Sequence, residues 1–355
     1  FSIQGVRTWV ETTTTTSKNQ NFILNEAWAK YQVSEKLGLK LGRQILSYDN
    51  ERLVGSLDWM MQGRSFDALK GIYKFNPNSK LEAVVTYNND DNDLNDLPEK
   101  EIYSIAEAGE ITKSLQIIHY DYSGKNKFQF SAIAMNQVLQ NPSGAHYDLL
   151  TVGINSKKYL ENIGFFGSAY YQTGKNTLAQ SKNAYQFSAN VDFLIHSKFN
   201  VILGTEWLSG RNFDTDSGEN KSFSPMYGTN HLHNGFMDYF YFGNSHFNSF
   251  GLNDYYLKSN LKFSPNSILQ ANLHAFTSNG KLGFDTSGEK IPSYLGTELD
   301  LVFTHKIGKS ITANLGHSFM FSGKSMEYLK NVPEPKNLQT WSWIAFRIAP
   351  NFKIK

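Results

Sequence analysis

The sequence has no cysteine. That excludes a disulfide framework and thiolate metal sites, and it suits a chain that must cross an oxidising periplasm. Proline is scarce, nine in 355 residues, and no Pro- or Ser-rich linker divides the chain. Charge of one sign is missing too. The 34 Lys and Arg against 32 Asp and Glu leave +2, which gives no reason to expect a nucleic-acid partner. No apolar run approaches the roughly 18 residues of a membrane-spanning helix, and mean hydropathy is −0.43. Both facts fit a soluble protein, and equally a membrane barrel whose strands are apolar on one face only. No secretory signal is visible, and the chain opens in a strand-like run, Phe1 to Val10. A barrel has to be secreted, so a signal and further chain are expected before Phe1.

Aromatic residues are abundant, 26 Phe and 19 Tyr, which suits many strands. The best strands alternate strictly. Tyr185, Phe187, Ala189, Val191, Phe193 and Ile195 share one face, and Gln186, Ser188, Asn190 and Asp192 share the other. Leu295, Thr297, Leu299, Leu301 and Phe303 likewise oppose Glu298, Asp300 and Thr304. Period two marks a strand with one apolar and one polar face. A soluble sandwich gives the same pattern, so length and loops have to decide. Many runs reach about ten residues, enough to cross a bilayer when tilted.

Sixteen strands are expected, at 2–10, 22–34, 39–48, 64–75, 81–88, 113–122, 127–138, 147–157, 163–173, 184–195, 199–209, 250–263, 268–277, 294–306, 311–321 and 338–349. Their connections alternate. Short turns such as 76–80 (Asn-Pro-Asn-Ser) follow long loops such as 49–63, 89–112 and 210–249. Short periplasmic turns and long extracellular loops are the rhythm of a transmembrane barrel, and a sandwich has no reason to keep it. The expectation is an all-β fold: one antiparallel up-and-down transmembrane β-barrel over residues 1–355, in the cell outer membrane, in contact with lipid bilayer and lipopolysaccharide.

Three stretches carry a resemblance. They are Asn25-Glu26-Ala27-Trp28-Ala29, Leu39-Lys40-Leu41-Gly42-Arg43-Gln44, and Tyr48-Asp49-Asn50-Glu51-Arg52-Leu53 followed by Arg64-Ser65-Phe66-Asp67. With Asn230-His231 and Asn234-Gly235-Phe236-Met237-Asp238-Tyr239, they resemble the alginate-export (alginate-porin-like) outer-membrane barrels, in the form found among Bacteroidetes. The resemblance implies 18 strands, hence an N-terminal hairpin in addition to the sixteen here. It also implies a porin-like channel passing a polar or charged solute, with a saccharide as one candidate. The alternative is a subunit or scaffold of a larger outer-membrane assembly with other outer-membrane proteins as partners. The C-terminus departs from the usual outer-membrane signal, because Lys355 is last and the nearest aromatic is Phe352.

Arginine facing lipid in a barrel wall costs about 2–4 kcal/mol at the bilayer midplane. Strand parity points Arg64, Lys70 and Arg347 inward. Arg43 shares parity with Leu39 and Leu41, so it reaches the lumen only if a bulge near Gly42 resets the strand. The same rule makes Asp192, Glu206, Glu298 and Asp300 pore-lining. Arg64 and Arg347 are expected near each other, facing that acidic wall. A rigidifying role in ion pairs is the competing reading of all these charges. Loop 210–249 is 40 residues long and rich in aromatics, including Phe236 and Tyr239, so it is expected to fold into the mouth as a constriction, with Asp238, or to grip a partner.

Asp214-Thr215-Asp216-Ser217-Gly218-Glu219 loosely echoes a calcium loop but lacks the ligand series, and loop 89–112 is acidic. A solvated loop fits both better, and no metal or other cofactor is expected. No nucleophile motif such as G-x-S-x-G accompanies the histidines, so no enzyme activity is expected.

Overall fold

The computed structural model describes residues 1–5, 22–58, 63–88, 111–125, 127–141, 143–240, 248–332 and 336–350. The acidic loop 89–112 lies outside them but for its last two residues, as do the second half of the first expected strand and the loop after it.

The strands are β1 (Ser2–Gly5), β2 (Phe22–Gln32), β3 (Leu37–Gln44), β4 (Phe66–Asn76), β5 (Ser79–Tyr87), β6 (Ile111–Ser123), β7 (Phe128–Gln140), β8 (His146–Leu160) and β9 (Ile163–Lys175). Then follow β10 (Ser181–His196), β11 (Phe199–Leu208), β12 (Glu219–Asn220), β13 (Leu252–Ser264), β14 (Ser267–Thr277), β15 (Tyr294–Ile307), β16 (Ile311–Ser322) and β17 (Leu338–Ile348). Each wall strand pairs antiparallel with the next, and β11 pairs directly with β13. β12 is a two-residue piece inside the longest loop, parallel to the start of β10. Without it sixteen strands form the wall, the number read from the sequence. One short helix, α1 (Ser325–Lys330), sits in the last long connection.

The ladder follows from the alternation. Along β10, Lys182, Ala184 and Gln186 are buried while Tyr185 and Phe187 are exposed. The polar face therefore points into the barrel and the aromatic face outward, the inverse of a globular core. Phe187, Phe193, Leu203 and Leu273 are exposed on that outer face. Gln172, Glu298 and Asp300 inside are essentially inaccessible. Ladders between neighbouring strands satisfy strand N–H and C=O groups within the wall, which hydrocarbon demands.

The tight ends are set by side-chain caps. Asn76 Oδ1 accepts the Asn78 N–H at 2.8 Å, and Ser264 Oγ accepts that of Asn266 at 3.2 Å. These short turns define one rim. At the other rim the long connections turn inward and bury an apolar cluster with the wall, including Leu46, Val54, Phe223, Tyr227, Phe276 and Leu282.

One strand ends earlier than its sequence suggests. The run expected over 39–48 stops at Gln44, and Ile45 onward leaves the wall for the lumen. Leu46 and Tyr48 fall on the parity of lumenal Lys40 and Gln44, so they put apolar surface on the inner side, where it is buried against the inward loops.

Candidate functional site: a two-loop plug over a lumenal chamber

The first inward loop, 45–58, turns tightly at Asp49 and Glu51, both with positive φ (55° and 59°). The turn is closed by the Glu51 N–H on the Tyr48 carbonyl at 2.9 Å. It carries three side chains to four different strands. Tyr48 donates its hydroxyl to Glu82 of β5 at 3.3 Å. Asp49 lies 3.0 Å from His119 Nε2 of β6 and accepts the Ser131 hydroxyl of β7 at 2.5 Å. Arg52 reaches β11, where Nε donates to Glu206 Oε1 at 2.8 Å and Nη2 donates to the other carboxylate oxygen. Both partners are buried, so the fork-to-carboxylate geometry compensates two desolvated charges.

The second inward loop, 209–240, docks onto the first. Val54 and Tyr227 form a parallel bridge, and the Gly55 N–H donates to the Tyr227 carbonyl at 2.8 Å. Thr229 donates its backbone N–H to the Glu51 carbonyl at 2.9 Å and its hydroxyl to the Glu51 carboxylate at 2.5 Å. Arg64 donates to the same Tyr227 carbonyl. Burial of the Arg64 guanidinium lowers its pKa to about 10, still well above neutrality.

Further along, Asn234 accepts from Arg52 at 2.7 Å and donates to Glu206 and Asp254 at 2.9 and 3.2 Å. His233 Nε2 meets the Asn50 carbonyl at 3.2 Å. Burial, then the neighbouring Arg52 charge, push its pKa down to about 3.

Gly235, at φ +85°, brings the backbone against the wall carboxylates. The next two N–H groups are taken there, Phe236 by Asp300 at 3.3 Å and Met237 by Glu298 at 2.9 Å. Asp238 pairs with His231 at 2.8 Å, and the Phe236 ring stacks on that imidazole with centroids 5.4 Å apart. Tyr239 donates its hydroxyl to Gln339 of β17. The two loops together form a plug bonded to β5, β6, β7, β11, β13, β15 and β17.

Beneath the plug, toward the short-turn rim, the lumen keeps a chamber of about 650 Å³. Its charged lining is Lys70, Lys80 and Lys157 with Glu82 and Asp121, and Asp49 and His119 close its top. Lys70 and Lys80 both approach Glu82, at 3.3 and 2.8 Å. Cross-strand register puts Lys30, Lys40 and Lys70 in one row over β2, β3 and β4. A side recess of about 300 Å³ shares Asn50, Phe166, Ser188 and Asn190 with the chamber and runs up to His233 and Lys258.

The placement of the expected site residues is uneven. Lys70, Asp192, Glu206, Glu298 and Asp300 stand on the lumenal face. Phe236, Asp238 and Tyr239 all take part in the plug. Three arginines need correction. Arg43 stays on the outer face with Leu41, because β3 keeps register with both neighbours through Gly42 although that glycine has φ +118°. It pairs there with Asp67, bidentate, at 3.0 and 2.7 Å. Arg64 precedes β4 and is sealed under Tyr227. Arg347 faces Thr312 beside the 308–310 turn, at the opposite rim, so the two are not neighbours. Arg52, the residue that ties both loops to the wall, was not singled out as a site residue. The Tyr48–Leu53 stretch was conspicuous, but nothing local names a partner 154 residues away.

A sixteen-strand up-and-down wall, an apolar outer face, a polar interior and inward loops define an outer-membrane porin-like β-barrel. The chain belongs to the alginate-export family, whose model matches residues 9–332. Solved structures similar to it are outer-membrane proteins of Pseudomonas aeruginosa. OpdK aligns with TM-score 0.59 at 11% identity, covering 90% of this chain and 78% of that one. OccK3 (OpdO) aligns with TM-score 0.59 at 12% identity over the same shares, and OccD3 (OpdP) with 0.59 at 12% over 92% and 78%. At such identity these likenesses speak for the fold. A comparison with curated proteins finds no match.

Proposed function

We propose that this barrel passes a small polar or charged solute across the outer membrane, by way of the chamber and past the two-loop plug. The observation that carries the reading is the arrangement of the lumen. A charge-lined chamber lies directly under a plug whose lower side is held by hydrogen bonds and ion pairs, while its upper side packs in the apolar cluster. The polar contacts can exchange for water when the plug shifts, whereas the apolar seat resists displacement and keeps the plug attached. A saccharide fits the many Asn, Ser and Gln groups of the lining, and lipopolysaccharide is the natural neighbour of the outer face.

Catalysis is not part of the reading. The His–Asp pairs His119–Asp49 and His231–Asp238 serve the plug, and His274–Asp254 is sealed in the wall. Ser131 donates to Asp49 and not to His119, so no hydroxyl is set against an imidazole base there.

The test is conductance of the purified barrel in planar bilayers. Steady small conductance that rises several-fold when residues 222–240 are replaced by a short Gly-Ser link is the expected result. A wild-type barrel and a loop-deleted barrel that both fail to conduct would overturn the channel reading.

A further inference from the structure

The side recess holds a charge distribution that the plug and the chamber do not use. It is lined by Asp192, Glu206, His233, Asp254, Tyr256 and Lys258, among others. Most of its acids are already engaged. Glu206 is held by Arg52, Gln186 and Asn234. Asp254 is held by His274 at 2.9 Å and by Asn234. Asp300, two strands from Lys258, takes the Ser318 hydroxyl and the Phe236 N–H.

Two groups differ. Among the described residues Lys258 has no carboxylate within ion-pair distance, and its ammonium rests over the Tyr256 ring at 4.7 Å. Asp192 commits one oxygen to Asn200 at 2.9 Å, and its other oxygen makes no hydrogen bond to the described residues. Register separates the two by a single strand. Asp192 stands opposite Ile202, which stands opposite Lys258. That places their backbones about 10 Å apart on the same lumenal face.

We propose that this recess is a binding site for a small zwitterion of the amino-acid class, with its carboxylate on Lys258 and its ammonium on Asp192. The inference deepens the channel reading and rests on it. A desolvated ammonium whose nearby carboxylates, Asp254, Asp300 and Glu206, are all bonded elsewhere is costly, and the second Asp192 oxygen is open to accept. A ligand carrying both charges satisfies both at once. A simple anion would leave the open Asp192 oxygen facing it with no cation, and a simple cation would meet Lys258. Tyr256, whose hydroxyl accepts from Asn190 at 3.3 Å, gives the ligand's aliphatic part a fixed aromatic wall. The recess opens into the chamber through the residues the two share. Its upper side is His233 and Asn234 of the plug, so an occupant would touch both the wall and the plug.

The experiment is calorimetric titration of the full purified barrel with L-alanine, propionate and ethylamine, which carry both charges, the carboxylate alone and the ammonium alone. L-alanine is expected to bind at least tenfold tighter than either half-probe. Lys258→Met and Asp192→Asn should each cost about tenfold in L-alanine affinity, and Lys258→Arg should retain most of it. Propionate binding as tightly as L-alanine, no binding by any probe, or unchanged affinity in both variants overturns the proposal. The comparison of probes on the wild-type barrel does not depend on how any variant folds. Conductance measured alongside separates the two ideas, because a conducting barrel that ignores L-alanine loses this site and keeps the channel.

Discussion

Two parts of the same wall carry several charged side chains each and use them differently. On β4 to β8, Lys70, Lys80, Lys157 and Asp121 line open space, with Glu82 held among Lys70, Lys80 and the Tyr48 hydroxyl. On β11 to β15, Glu206, Asp254, Glu298 and Asp300 are buried and bound to the plug or to neighbouring side chains. The second group is a set of attachment points, and the first is what a solute would meet. Parity within a strand tells lumen from lipid. It does not tell a charge that faces water from one that faces a folded loop.

The largest test of this contrast is Arg52. Removing one partner of a buried, hydrogen-bonded pair leaves the other charged in a dry site, which typically costs about 3–5 kcal/mol. Arg52→Met should therefore undock the plug, raising single-channel conductance and exposing residues 222–240 to protease while the wall strands stay intact. The double variant Arg52→Met, Glu206→Met removes both charges and should recover much of the closed state. Unchanged conductance and protease resistance in Arg52→Met would show that the plug does not depend on the ion pair.

The sequence made the wall legible because a strand's information is local. Period two, turn residues and the rhythm of short and long connections sufficed for sixteen strands, and the same rule placed Asp192, Glu206, Glu298 and Asp300 on the inside. It failed where the determinant was distant. Ile45 to Tyr48 read as a continuing strand; the one local sign otherwise is that Leu46 and Tyr48 stand on the polar parity of Lys40 and Gln44, and it names no loop to bury them. Arg43 was ambiguous because Gly42 looks like a bulge. The unbroken register on both sides of β3 settles that it faces out, with Asp67 as its counter-charge. Loop 210–249 was expected to enter the mouth from its length and aromatics. Its anchor, Arg52, belongs to a different loop.

A second, smaller test uses pH. His233 has its folded pKa depressed from 6.5 to about 3, so the undocked plug binds a proton that the docked plug excludes. The docking stability tied to this group is full above about pH 6.5. It is lost progressively as pH falls from there toward 3. Conductance should rise on acidification over that window. His233→Gln, which keeps a donor for the Asn50 carbonyl, should flatten the response between pH 6.5 and 4. An equally steep profile in the variant would assign the acid response to other groups.

The smallest effect concerns the open side, and it sharpens the contrast most directly. Lys157 lines the chamber with no carboxylate in ion-pair range among the described residues, its ammonium lying 5.2 Å from the Phe166 ring centroid and 5.1 Å from that of Tyr159. Replacing it by Gln removes a fixed positive charge from water-filled space without orphaning a buried partner. Stability should hardly change, and the reversal potential under a salt gradient should move toward cations. The shift should fade as ionic strength rises, because the screening length falls from about 10 Å at 0.1 M to about 3 Å at 1 M. Asp300→Asn is the matched control on the other part of the wall. Its carboxylate is buried against the Ser318 hydroxyl and the Phe236 N–H, so the substitution should loosen the plug and leave selectivity almost unchanged. If Asp300→Asn moves the reversal potential as much as Lys157→Gln does, the acids of β11 to β15 are part of the permeation path, and the division between attachment and passage fails.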